Sequence, residues 1–317
     1  MEFLFIIDPP DTLKAYKDTT VAMMRAAQAR GHGVSVCEQT SLAWRLEGVH
    51  AEATRIVLSD DDADWFRPHE VVERRLAEFD GVLMRKDPPF DLEYVVSTWL
   101  LSAAVREGAC VINAPDAVRD HNEKLAIAEF PQFVVPTLVS RDTARIHAFV
   151  DEHADVVVKR LDVMGGENVF RVRADDANRN VIIEIMAQGG GRSVMAQRYI
   201  PEITEGDRRV ILINGELVPH VLARIPREGE FRGNLAAGAR GVAMPVTARE
   251  REIAQAIGPR LAARGLLLVG LDVIGDWITE INVTSPTCFR EIQDQTGFDV
   301  AGLFVRALEA TAAGPRG

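Results

Sequence analysis

Residues 270–287 read GLDVIGDWITEINVTSPT. Strand-forming apolar residues are interleaved here with Asp272, Glu280 and Asn282, and Gly275-Asp276 interrupts the run as a hairpin turn does. How that turn closes decides where the three polar side chains point. A two-residue turn would pair Ile274 with Trp277 and put Asp272 and Glu280 on opposite faces, because side chains alternate along a strand. A three-residue loop, Gly275 to Trp277, pairs Ile274 with Ile278 and Asp272 with Glu280, and all three polar residues then share a face. Two carboxylates and a carboxamide form an all-oxygen set suited to Mg²⁺, which keeps several waters and takes only one or two carboxylates beside nucleotide phosphates. The competing reading is a solvent-facing strand whose polar groups only solubilise an edge.

The rest of the chain supplies the context. Its 317 residues exceed what one compact core usually holds, and 47% hydrophobic with 26% charged residues is the balance of a soluble globular protein. A net charge of -11, from 36 basic and 47 acidic residues, excludes broad nucleic-acid binding, which needs a basic face. Cys37, Cys110 and Cys288 are far apart and in no CxxC pattern, which points away from disulfides and thiolate metal sites and towards a reducing cytoplasm. The opening MEFLFIIDPP has no basic region, and no apolar run approaches the ~20 residues that span a bilayer. No signal peptide and no membrane segment are expected.

The first third alternates apolar runs with a helical pattern: FLFII (3–7), DTTVAMMRAAQARG (18–31), VSV (34–36), GVLM (81–84) and CVIN (110–113). This predicts an α/β unit with a parallel sheet, over 1–120, whose ligands lie at the carboxyl ends of strands, at DPP (8–10) and RKDPPF (85–90). Thr19 or Asp18 caps the first helix and Gly31 ends it. The charge run SDDDAD (59–64) reads as a solvated turn. Residues 121–200 read as a small α+β unit. From 201 to 317, RRVILING (208–215) and VPHVLARI (218–225) read as paired strands, followed by a helix over 249–263.

Several segments offer anion-binding chemistry. In MGGENVF (164–170) adjacent glycines let backbone N–H groups approach an anion, with Lys159 as a point charge, although a Gly-Gly pair is also an ordinary hairpin turn. Neither GxxxxGK[ST] nor GxGxxG occurs. Lys124, taken alone, is a surface lysine. QRYI (197–200) offers backbone to an adenine edge or simply links two units. The glycine-rich loop over 226–241 carries Arg227, Arg232 and Arg240, and reads as a lid or as a floppy connection. With Arg224, Arg85 and Lys86, its cations can converge on an anionic ligand. Cys288 has no histidine in its neighbouring motif and is read as a small buried residue, not a nucleophile.

Longer strings carry a resemblance to a known family. LMRKDPPFD, INAPDAVRDHNEKL, LDVMGGENVFRV, RRVILING, LARIPREGEFRGNLAAGARG and VGLDVIGDWITEINVTSPTCFREI follow one another as segments of the bacterial glutathione synthetases do, and the chain resembles that family of the ATP-grasp superfamily over nearly its whole length. The resemblance implies an ATP-grasp fold with an N-terminal Rossmann-like domain, a homotetramer, and ligation of γ-glutamylcysteine and glycine through an acyl phosphate. The alternative is another ATP-grasp carboxylate-amine ligase. By position it implies that Lys124 and Lys159 contact ATP phosphates under a Gly165–Gly166 loop, and that Gln197, Tyr199 and Ile200 flank adenine. Asp207 would then meet ribose, and Asp272, Glu280 and Asn282 would hold two Mg²⁺, with Mn²⁺ as a substitute. Arg224 and Arg232 would serve catalysis, and Arg85, Arg224, Arg232, Asn234, Ser285 and Thr287 would hold the dipeptide and the intermediate. One position departs: Val163 stands where the family usually has glycine, and a β-branched residue disfavours positive φ.

Overall fold

The structure, a computed structural model, describes residues 1–314. Its strands form three sheets. In the first, Glu2–Ile7 lies between Gly33–Glu38 and Gly81–Met84, with Val111–Ile112 beyond, all parallel. Phe3 to Ile7 are buried throughout, as a parallel strand covered on both faces requires. Asp18 caps helix Thr19–Ala29 by accepting the Val21 N–H. The alternating pattern did not foresee the long antiparallel hairpin of Gly48–Leu58 and Phe66–Arg75. SDDDAD forms its turn, and is not wholly solvated: Arg25 Nη1 lies 2.7 Å from Asp62 Oδ1.

The second sheet is antiparallel, in the order Val169–Arg173, Asp155–Arg160, Val194–Arg198, Thr137–Ser140. The Gly-Gly pair sits in its hairpin loop, between Lys159 and its cross-strand partner Val169. There the positive φ angles fall on Gly165 (+69°), Gly166 (+82°) and Asn168 (+51°), and Val163 is not among them. The loop therefore accepts a β-branched residue at 163, because the left-handed conformation it needs is supplied further on.

In the third sheet the order is Arg240–Pro245, His220–Ile225, Asp207–Ile213, Leu268–Ile274, Trp277–Asn282. Its central hairpin corrects the expected turn. Ile274 pairs with Trp277, so the turn is two residues long, with Gly275 at φ +56°. Asp272 nevertheless pairs with Glu280, because Thr279 is an extra, bulged residue between Ile278 and Glu280. The bulge supplies the offset that a three-residue loop would have given. Thr279 Oγ1 donates to the Asp272 carbonyl at 3.3 Å.

The carboxyl-terminal helices Phe289–Thr296 and Val300–Ala312 return to the first sheet. Phe289, Phe304, Val305 and Leu308 share one buried cluster with Phe3, Phe5, Met23 and Met24. Asn113 ties the first sheet to the third: its Nδ2 donates to the Leu268 and Val283 carbonyls, each at 2.8 Å, and its Oδ1 accepts the Leu268 N–H. The two sheets are thus held by shared apolar packing and by saturated polar contacts.

Candidate active site

Strand pairing places opposite charges side by side. Asp207 lies opposite Arg224, and Arg209 opposite Asp272, which is itself opposite Glu280. Arg209 Nε donates to Asp272 Oδ1 at 2.6 Å and its Nη2 to Oδ2 at 3.2 Å, a bidentate fork. Arg224 Nη2 stands 2.6 Å from Asp207 Oδ2 and 2.9 Å from Asp272 Oδ2, contacts of charge without hydrogen-bond alignment. Glu280 faces the lysines, with Oε1 at 3.3 Å from Lys159 Nζ and 3.8 Å from Lys124 Nζ.

Glu280 is half-buried and the other groups are drawn from water, and their titration follows from their neighbours. Burial opposes ionisation of Asp272, but the guanidiniums of Arg209 and Arg224 hold its carboxyl well below the usual carboxylate range. Burial likewise opposes ionisation of Glu280, and Lys124 and Lys159 hold it low. Asp207 goes the other way. Burial pushes it up to about 6, with Arg224 opposing and the Asp272 charge adding to the rise. Its Oδ1 is buried without a hydrogen-bond partner.

Two clefts meet at this network. One is walled by Val157, Val169, Ile200, Ile203 and Ile274 and by the segment 197–200, and reaches Lys159, Asp207, Asp272 and Glu280. The other, the more polar by its residues, gathers charged and hydroxyl side chains, among them Asp87, Arg209, Arg224, Asn282, Ser285 and Thr287. Asn234, Asp272 and Glu280 line both. Apolar slots suit a flat base, and a polar chamber suits small charged substrates.

The sequence-predicted residues divide accordingly. Lys159, Gln197, Tyr199, Ile200, Asp207 and Arg232 line the apolar cleft, while Gly165, Arg224, Asn282, Ser285 and Thr287 line the polar one. Gly166 sits above the junction, its carbonyl accepting from Arg232 Nη1 at 3.2 Å. Lys124 is not a surface lysine. It is buried, and its Nζ donates to the Val163 carbonyl at 2.6 Å. Arg85 is not among the residues lining either cleft: its Nε donates to Thr20 Oγ1 and its Nη2 to the Pro286 carbonyl, so it braces the 285–287 turn from behind. Two of the loop arginines have partners within the loop: Arg232 pairs with Glu230 and Arg227 donates to the Gly238 carbonyl.

Arg209 was overlooked. Its signal was the doubled arginine opening RRVILING, one of whose side chains must face the same way as Asp207. Cys288 is buried, and burial pushes its thiol further from ionisation. Cys288→Ala is therefore expected to retain activity; complete loss in a normally folded variant would count against this reading.

Among the described residues no group of three or more His, Cys, Asp or Glu side chains could by itself hold a metal ion. The donor chemistry still fits Mg²⁺. Glu280 and Asn282 project oxygens from the face on which Asp272 stands, and a small hard cation completes its sphere with water and phosphate oxygens rather than an all-protein cage.

Two family models match the chain: "Prokaryotic glutathione synthetase, N-terminal domain" over residues 1–119 and "Prokaryotic glutathione synthetase, ATP-grasp domain" over 123–297. The glutathione synthetase of Bordetella pertussis is 56% identical, with 98% of this chain and all of the relative (100%) covered. That of Ralstonia nicotianae is 55% identical, covering 98% and 96%. Among solved structures, D-cycloserine synthetase DcsG superposes with a TM-score of 0.66 at 15% identity, covering 98% of this chain and 99% of that one. The ATP-grasp ligase PsnB complexed with minimal precursor gives 0.64 at 18%, covering 97% and 98%. Those two likenesses concern the fold, which is ATP-grasp. With both family models and relatives above half identity over nearly full length, the chain belongs to the prokaryotic glutathione synthetase family.

Proposed function

We propose that this ATP-grasp ligase joins γ-glutamylcysteine to glycine through an acyl phosphate, releasing glutathione, ADP and phosphate. The chain is a carbon–nitrogen ligase of glutathione biosynthesis. The observation that carries the chemistry is the junction: an apolar cleft and a polar cleft share Asn234, Asp272 and Glu280. A nucleotide in the first and a carboxylate donor in the second meet there, phosphate to carboxylate.

A carboxylate is a poor electrophile. In the proposed reaction the cysteinyl carboxylate oxygen attacks the terminal phosphorus of ATP and ADP leaves; the glycine amine then attacks the acyl carbon and phosphate leaves. Both steps gather negative charge, and preorganised cations in a closed site stabilise it more than mobile water can. Lys124 and Lys159 would face the phosphates, Gly165 and Gly166 would cover them, Gln197, Tyr199 and Ile200 would flank adenine, and Asp207 would meet ribose. Two Mg²⁺, or Mn²⁺ in their place, held by Asp272, Glu280 and Asn282 with phosphate oxygens, would supply Lewis-acid polarisation. Arg224 and Arg232 would stabilise the transferred phosphoryl group, and Asn234, Ser285 and Thr287 would hold the dipeptide. Arg85 would serve through Pro286. The chain would comprise three units, 1–120, 121–200 and 201–317, and work in the cytoplasm as a homotetramer on small molecules, without nucleic acid or membrane. No described helix is long and apolar enough to cross a membrane.

The test is ADP release in the presence of ATP and Mg²⁺. It should require γ-glutamylcysteine and glycine together; faster turnover with another acid and amine would favour a different ATP-grasp ligase. A second expectation concerns residues 226–241. Arg232 reaches across to Gly166 while Gly229 and Gly238 hold positive φ, so the loop can close over an acyl phosphate that water would otherwise hydrolyse. Brief trypsin digestion should cut the unliganded protein here first, and ATP, Mg²⁺ and γ-glutamylcysteine should slow the cut. Equal rates with and without ligands would remove the lid.

A further inference from the structure

Glu123 stands just ahead of Lys124, on the polar cleft, and makes an unusual set of bonds. One of its carboxylate oxygens, Oε1, accepts three donors: Val283 N–H at 2.8 Å, Thr284 N–H at 2.9 Å and Thr284 Oγ1 at 2.8 Å. Its own carbonyl accepts the Ile281 N–H at 2.8 Å. The strand Trp277–Asn282 ends one residue before these contacts, and its last cross-strand pair is Asn282 with Gly270. Beyond that pair the chain must turn towards Ser285 with its backbone groups in need of partners. Side chains provide them. Asn113 takes the Val283 carbonyl, and Glu123 takes the two N–H groups that follow Asn282.

We propose that Glu123 is a positioning residue for the metal-facing end of the hairpin, fixing the backbone at 283–284 and so setting where Asn282 and Ser285 present their oxygens. The arrangement also ties two halves of the site. Lys124, next in the chain, donates to the Val163 carbonyl of the glycine-rich loop and lies 3.8 Å from Glu280 Oε1. Glu123 therefore anchors, within two residues, the cation that spans loop and hairpin and the turn that follows Asn282. Partners of this outer kind typically carry ~10- to 100-fold of metal affinity. The inference rests on the functional reading above only in taking Asn282 as an oxygen donor to the cation.

The test is Mn²⁺ binding, followed by electron paramagnetic resonance, to the full chain with a non-hydrolysable ATP analogue and no donor or glycine. Glu123→Ala is expected to bind Mn²⁺ about tenfold more weakly than the parent. Glu123→Gln, whose side-chain carbonyl can still accept the same donors, should stay within about threefold of the parent. If Glu123→Ala does not fold, Glu123→Asp, one methylene shorter, carries the same expectation. Parent-like Mn²⁺ binding in the alanine or aspartate variant, equal losses in the glutamine and alanine variants, or no Mn²⁺ binding by the parent would each overturn the proposal. Because no acid or amine is present, a parent chain that binds Mn²⁺ but does not ligate γ-glutamylcysteine to glycine would refute the functional reading and leave this one standing.

Discussion

Glu280→Gln is expected to fold as the parent does and to lose at least ~10²-fold in turnover, the scale of removing one preorganised electrostatic group from a reaction centre. Folding should survive because the substitution is isosteric and the amide oxygen can still accept from Lys159, whose Nζ also holds the Thr279 carbonyl at 3.1 Å. Turnover should not, because the lost charge is one of two that both clefts share, and two buried lysines already face it. Circular dichroism and thermal unfolding would check the first half, and ADP release at saturating substrates the second. Parent-like turnover would take Glu280 out of the site.

Arg209→Met should act on stability instead. The guanidinium and the Asp272 carboxylate are both buried and joined by two hydrogen bonds, so removing the cation leaves Asp272 with only the bent contact to Arg224. Breaking a buried pair from one side typically costs ~3–5 kcal/mol, and Arg224 places this case towards the lower end. The pH dependence has a definite sign. Asp272 is held below its ordinary range, so its stabilising contribution is full above its unfolded-state pKa and is lost as pH falls through the depressed value. The gap between parent and variant, measured by denaturant unfolding, should be widest near neutrality and narrow in acid. A gap that is small at neutral pH would mean that Arg224 alone suffices.

The residues that sequence reading found and missed differ in a physical way. Parallel strands of the first sheet announce themselves as continuous apolar runs, because both faces are covered. The long hairpin 48–75 does not, since most of Phe66–Arg75 is exposed and alternates poorly. In the central hairpin the pairing of Asp272 with Glu280 was right for the wrong reason: local turn chemistry favours two residues, and the compensating bulge at Thr279 leaves no mark in the sequence. Lys124 and Arg209 were illegible for a related reason. Their importance lies in partners 156 and 63 positions away, Glu280 and Asp272, and no local pattern records such a distance. The family strings brought Lys124 into view, whereas Arg209 emerged only from strand register.

If the junction of the clefts activates a carboxylate by phosphorylation, isotope transfer will reveal it. γ-Glutamylcysteine carrying heavy oxygen in its cysteinyl carboxylate should be turned over with ATP, Mg²⁺ and glycine, and the released phosphate examined by phosphorus NMR. An acyl phosphate passes one carboxylate oxygen to the departing phosphate, so each phosphate formed should carry one heavy oxygen. Product accompanied by unlabelled phosphate would contradict it.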